Sequence, residues 1–150
     1  MKHLLHITVG ISLVLLYSCS SSRDVEQMLD KAEELMVERP DSSLVVLEGI
    51  DITTVASRGT KARYALLLTQ AKDKNYIDET DATLIDDAVE YYEESDNVHY
   101  KFMSYYYQGR ILSNKGDYTH AIIAYTQAEE LLNKLNDNYL AGLLYTEIGS

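Results

Sequence analysis

From residue 24 onward, apolar side chains return at three- and four-residue steps, the spacing that lines one face of an α-helix. Val25, Met28, Leu29, Ala32, Leu35 and Met36 mark a first such face, and Leu44, Val45 and Leu47 a second. A third runs through Tyr64, Leu67, Leu68 and Ala71. The segment Ala65 to Ala71 reads ALLLTQA, which lacks the alternation of a strand and is long enough with its flanks for a helix. Ile85, Ala88, Val89 and Tyr92 follow, then Phe102, Tyr105, Tyr106, Gly109 and Leu112. The last long face comprises Ala121, Ala124, Tyr125, Ala128, Leu131, Leu132 and Leu135.

Punctuation between these faces is that of helix ends. Asp24 can cap the first helix, and Glu38-Arg39-Pro40 ends it, because the residue before a proline avoids helical dihedrals. Asp41 is placed to cap the second helix and Gly49 to terminate it. Thr80 or Asp81 caps the helix through Ile85, and Asn136-Asp137-Asn138 reads as a turn and cap. Gly116 supplies a left-handed C-cap, and Asp117 accepts from the amides of the next helix. The pattern predicts an all-α domain with helices near 24–38, 41–49, 58–74, 81–95, 98–114, 118–135 and 138–150.

The pair of helices around the Gly116 turn carries a resemblance. Tyr105 and Gly109, then Gly116-Asp117-Tyr118, then Ala121, Tyr125 and Ala128, resemble the tetratricopeptide repeat. Tyr105 and Gly109 have counterparts at Tyr145 and Gly149, Ala121 and Tyr125 at Ala88 and Tyr92, and Tyr105 at Tyr64. The resemblance implies a right-handed superhelix of stacked antiparallel helix pairs, an α-solenoid, spanning 24–150. It also implies packing roles for Tyr105, Gly109, Ala121, Tyr125 and Ala128, where helices approach closely. Residues 139–150 form an incomplete helix, so it either serves as a cap or begins a further repeat of a longer protein.

Residues 1–18 read as a signal peptide, with Lys2 before about fourteen mostly apolar residues, Leu4 to Tyr17. That is short of the roughly twenty residues a membrane-spanning helix needs. Leu16-Tyr17-Ser18-Cys19 resembles the lipobox of the lipoproteins of Gram-negative bacteria, which implies cleavage before Cys19 and acylation of its thiol. Residues 19–23 would form a lipidated tether. Ser20 after the Cys, with no acid adjacent, points by the sorting pattern of lipoproteins to an outer-membrane anchor facing the periplasm. Two or three acyl chains would hold the membrane stably, where one chain is marginal. Cys19 is the only cysteine, so the chain has no intrachain disulfide.

Charge and chemistry narrow the function classes. A net charge of −11 argues against nucleic acid and against adhesion to anionic lipid head groups. Thirteen tyrosines against one phenylalanine and no tryptophan suggest rings packed between helices with hydroxyls at the edge, a minority facing a groove. The acid-rich stretch from Asp73 to Asp87 fails as a calcium loop, since its bend position is Asp78 and its last position Leu84. Past the leader only His99 and His120 remain, at helix surfaces or ends, and the chain lacks HExxH, GxSxG and a phosphate loop. The adjacent acids Asp86-Asp87 and Glu93-Glu94 point about 100° apart on a helix and suit a solvated face. We therefore expect no catalysis, cofactor or metal.

The expected function is a lipid-anchored scaffold that binds a protein or peptide. A sensor segment of a larger signalling or transcription-regulating protein, and a small-molecule or glycan binder, are the alternatives. In the resembling family, ligands lie against the first helix of each pair, which here implies Tyr106, Arg110 and Ser113, with Ala65, Thr69 and Lys72 on the preceding pair. Arg110 and Lys72 would either offer two cations to a carboxylate or merely offset neighbouring acids.

Overall fold

A computed structural model describes residues 23–149; the expected signal peptide, Cys19 and residues 20–22 of the expected tether lie outside them. Every regular element among the described residues is a helix. α1 runs over 23–35. It is followed by α2 (Pro40–Glu48), α3 (Arg58–Lys74), α4 (Thr83–Glu93), α5 (Val98–Lys115), α6 (Tyr118–Glu129), α7 (Leu132–Leu135) and α8 (Asn138–Ile148). A short 3₁₀ turn, Ile52–Thr54, lies between α2 and α3.

Local chemistry explains these ends. Ser57, Asn97, Asp117 and Asp137 each accept a backbone N–H in the first turn of α3, α5, α6 and α8. Gly116 ends α5 at φ +83°, a left-handed conformation that costs glycine nothing extra. The Asp117 N–H then bonds the Leu112 carbonyl at 2.9 Å, closing the helix end.

Five sequence expectations need correction here. Asp24 lies inside α1, which begins at residue 23, and Ala82, not Thr80 or Asp81, stands at the N-cap of α4, although Asp81 accepts from the Thr83 N–H at 3.0 Å. Asp41 does not cap α2: Arg39 stands at that position without a side-chain cap, and Pro40 opens the helix, its fixed φ suited to the first helical position. α1 is helical only to residue 35, with a turn over 36–38, so it ends before reaching Pro40. The expected helix 118–135 is broken at 130–131. Leu131 donates to the Ala128 carbonyl and Lys134 to that of Leu131, both three residues back and both at 3.0 Å. This tighter winding accompanies the partial burial of Leu131, Leu132 and Leu135 against the core.

Two apolar clusters hold the helices together, and α3 contributes to both. On one side Leu67, Leu68 and Ala71 pack with Val25, Leu29 and Ala32 of α1, Met36 of the turn after it and Leu47 of α2. On the other, Ala62, Ala65 and Leu66 join Ile85, Ala88, Val89 and Tyr92 of α4 and the apolar positions of α5, α6 and α8. Burial on both flanks is why ALLLTQA shows so little one-sidedness in sequence. In the α5–α6 hairpin, Ala121, Ala124 and Ala128 are buried, and Gly109 meets the ring of Tyr125. The Tyr105 hydroxyl donates to Glu93 at 2.8 Å, tying α5 to α4.

Two arginines cross between helices. Arg63 of α3 reaches three acids of α1: Glu26 at 3.2 Å, Asp30 at 2.8 Å and Glu33 at 2.5 Å. Arg110 of α5 reaches Asp73 of α3 at 2.7 Å and Glu147 of α8 at 2.8 Å. Burial alone would lower both guanidinium pKa values, but the hydrogen bonds they donate to the carboxylates outweigh it and raise them, so both stay charged.

Candidate functional site

The residues expected to form a binding stripe fall in two different settings. Tyr106 is buried, its ring nearly parallel to that of Phe102 at 6.3 Å and tilted against Tyr125 at 6.4 Å. Burial pushes its hydroxyl pKa well up. Ala65 and Thr69 are each only 2% exposed. Ser113 has its hydroxyl 3.5 Å from that of Tyr125. Lys72 donates to Glu79 at 2.6 Å, and Arg110 is held by Asp73 and Glu147. Of this set, Thr69 and Arg110 come together beside a void of about 10 Å³, and both cations are engaged by acids of the chain itself.

A groove opens one residue further round the same helices. Its volume is about 240 Å³, and it is lined by Glu33 of α1 with Met36 and Val37 of the turn that follows, and from α3 by Leu66, Gln70 and Lys74. α5 contributes His99, Tyr100, Met103 and Tyr107, and α8 with its cap contributes Asp137, Tyr139, Leu140 and Leu143. Stepping from Tyr106 to Tyr107, or from Ala65 to Leu66, turns about 100° around a helix, which separates the packed stripe from the groove-facing one. Met103 and Tyr107, like Leu66 and Gln70, are four residues apart and therefore share a face. The spacing was present in the sequence. Its apolar members could not be told from core there.

The floor is apolar, with Met36, Leu66, Met103 and Leu140 all buried. Val37, 79% exposed, and Tyr139, 64% exposed, stand at its edge. The acids of the lining are already engaged. Glu33 accepts from the Tyr100 hydroxyl at 2.7 Å and from Arg63, and Asp137 accepts from the Tyr139 and Leu140 amides at 2.8 and 3.2 Å. Burial, with the Glu33 hydrogen bond, pushes the Tyr100 hydroxyl up to about 12. Lys74 enters no ion pair and Gln70 no side-chain hydrogen bond among the described residues. The groove thus offers unengaged donors above an apolar floor, although the chain as a whole is acidic.

Among the described residues no group of three His, Cys, Asp or Glu side chains is placed to hold a metal ion. His120 is turned to Asp117 at 2.8 Å, while His99 lies at the groove with its ring 5.9 Å from that of Tyr100. No described helix is long and apolar enough to cross a membrane. Comparison with protein-family models, with curated proteins and with solved structures finds no match to the chain.

Proposed function

We propose that this chain is a cell-envelope scaffold, tethered through an acylated Cys19, that holds a segment of a partner protein in the groove formed by α1, α3, α5 and α8. In this reading the helix pairs stack as a right-handed superhelix similar to tetratricopeptide repeats, with α1, α3, α5 and α8 as the first helices of successive pairs. The observation that carries the reading is the groove's chemistry: a methionine- and leucine-lined floor beside the unengaged Lys74 and Gln70, with both lining acids occupied. Methionines fill irregular gaps and accommodate varied apolar side chains. Lys74 adds a point charge for an acid, so the segment that fits carries a large apolar residue next to an Asp, a Glu or a terminal carboxylate.

A glycan or small-molecule ligand has less support. Tyr92, Tyr105, Tyr106 and Tyr125 are buried in helix packing, which leaves few aromatic faces for a sugar.

Selection from a random peptide library on the purified lipoprotein tests the proposal. Enriched peptides should pair an apolar residue with an acid, and a Met103→Glu/Lys74→Ala variant of unchanged helicity should lose them at least tenfold. Equal binding by that variant would move the site elsewhere.

A further inference from the structure

A second groove lies between α1 and α2, at the end of the domain where the described chain begins. Its volume is about 480 Å³, and its floor is Met28, Val45, Val46 and Gly49. Val45 on this floor is 69% exposed. Met28 lies over Gly49, its terminal methyl 3.7 Å from where a glycine side chain would begin. The rim carries one acid, Asp24, and one cation, Lys31, and Lys31 is paired with Glu34 at 2.8 Å. With Glu34 counted, two acids face one base here, so the groove's rim carries a single excess negative charge.

Its position in the chain says what could cover it. Asp24, on the rim, follows Arg23 directly, and Cys19 lies only four residues before Arg23. Four residues span at most about 14 Å even when fully extended. An acylated Cys19 would therefore keep the start of α1 within about half a bilayer thickness of the lipid surface.

We infer that the α1–α2 face rests on a zwitterionic lipid surface, with Val45 and Met28 seated at the boundary between head groups and acyl chains. The inference builds on the tethering reading of Cys19 and adds an orientation to it. Zwitterionic head groups carry no net charge, so the one excess acid of this partly apolar face meets no repulsion from them, as it would from anionic lipid. Lipid contact removes Val45 from water, which the fold itself does not do.

The chain contains no tryptophan, so one introduced indole reports alone. Val45→Trp and, as a control, Ile123→Trp on α6 both alter residues already more than half exposed. Each mature, acylated variant is reconstituted into phosphatidylcholine vesicles with or without bromine on the acyl chains. Val45→Trp emission should shift to the blue and be quenched several-fold more by brominated lipid than Ile123→Trp emission. Equal quenching of the two in vesicle-bound protein overturns the orientation and leaves the tether intact. Acylated protein that stays off the vesicles overturns both. A blue shift of Val45→Trp that grows with protein concentration in lipid-free detergent assigns the face to a second copy, and also overturns the inference.

Discussion

The ring of Tyr125 lies against the α carbon of Gly109, so that a methyl group built on residue 109 would overlap the ring edge. Glycine in a helix interior ordinarily costs about 1 kcal/mol relative to alanine. Here the ring cannot step aside, because Tyr125 is 3% exposed and packed beside Tyr106. Gly109→Ala should therefore lower unfolding free energy by about 1–3 kcal/mol in urea titration. In a Tyr125→Leu background the same change should cost much less, a coupling that a double-mutant cycle measures. Additive losses would mean that the two residues do not meet.

Among the described residues, Arg63 is the only side chain paired with Glu26, Asp30 and Glu33 together, and its own side chain is 18% exposed. Arg63→Met keeps most of the packing volume but leaves three carboxylates of α1 facing one another. Allowing for the partial exposure of all three acids, we expect a loss of about 2 kcal/mol, smaller in molar salt than at low ionic strength. A variant as stable as the parent at low salt would show that the acids are fully solvated.

Alkaline pH should unfold the domain through its tyrosines. Burial raises the hydroxyl pKa values of Tyr92, Tyr105, Tyr106 and Tyr107, and burial together with Glu33 takes Tyr100 to about 12. A group whose folded pKa exceeds its unfolded value binds its proton more tightly when folded. The contribution is complete below about pH 10, the ordinary tyrosine value, and is lost as pH rises through the folded pKa. Stability should accordingly fall from about pH 10 to 12, with part of the tyrosinate absorbance appearing only as helical circular dichroism disappears. Full tyrosine ionisation with helicity intact would contradict this.

Cys19→Ala removes the thiol proposed here to carry the acyl group. The variant should take up no labelled fatty acid and should leave the membrane fraction or remain unprocessed. Label retained by the variant would place the acyl group on another residue.

Helix positions were legible in the sequence because burial on one flank leaves a three-four rhythm, as in α4, where Ile85, Ala88, Val89 and Tyr92 are the buried residues. Ends were legible where a polar side chain caps directly, as at Asp117 and Asp137. They were misread at Asp41, where Pro40 starts the helix a residue earlier, and at Leu131, where tertiary contact overrides a continuous pattern. The groove escaped notice for a different reason. Met103 and Leu66 look like core in any window, and which flank of a doubly packed helix faces solvent depends on neighbours far away in sequence. Ion pairing was equally hidden, since Arg110 finds Asp73 and Glu147 each 37 residues away.

The division of the apolar interior at α3 has a mechanical consequence. In the proposed tethering through Cys19, a pull would enter the described domain at Arg23, the first residue of α1. α1 and α2 share their apolar cluster chiefly with α3, while α4, α5, α6 and α8 are bound mainly through the other. Tension is therefore met first by the Leu67, Leu68 and Ala71 flank of α3 and by Arg63, and the α1–α2 pair is the part that peels under force while the remaining helices hold their shape.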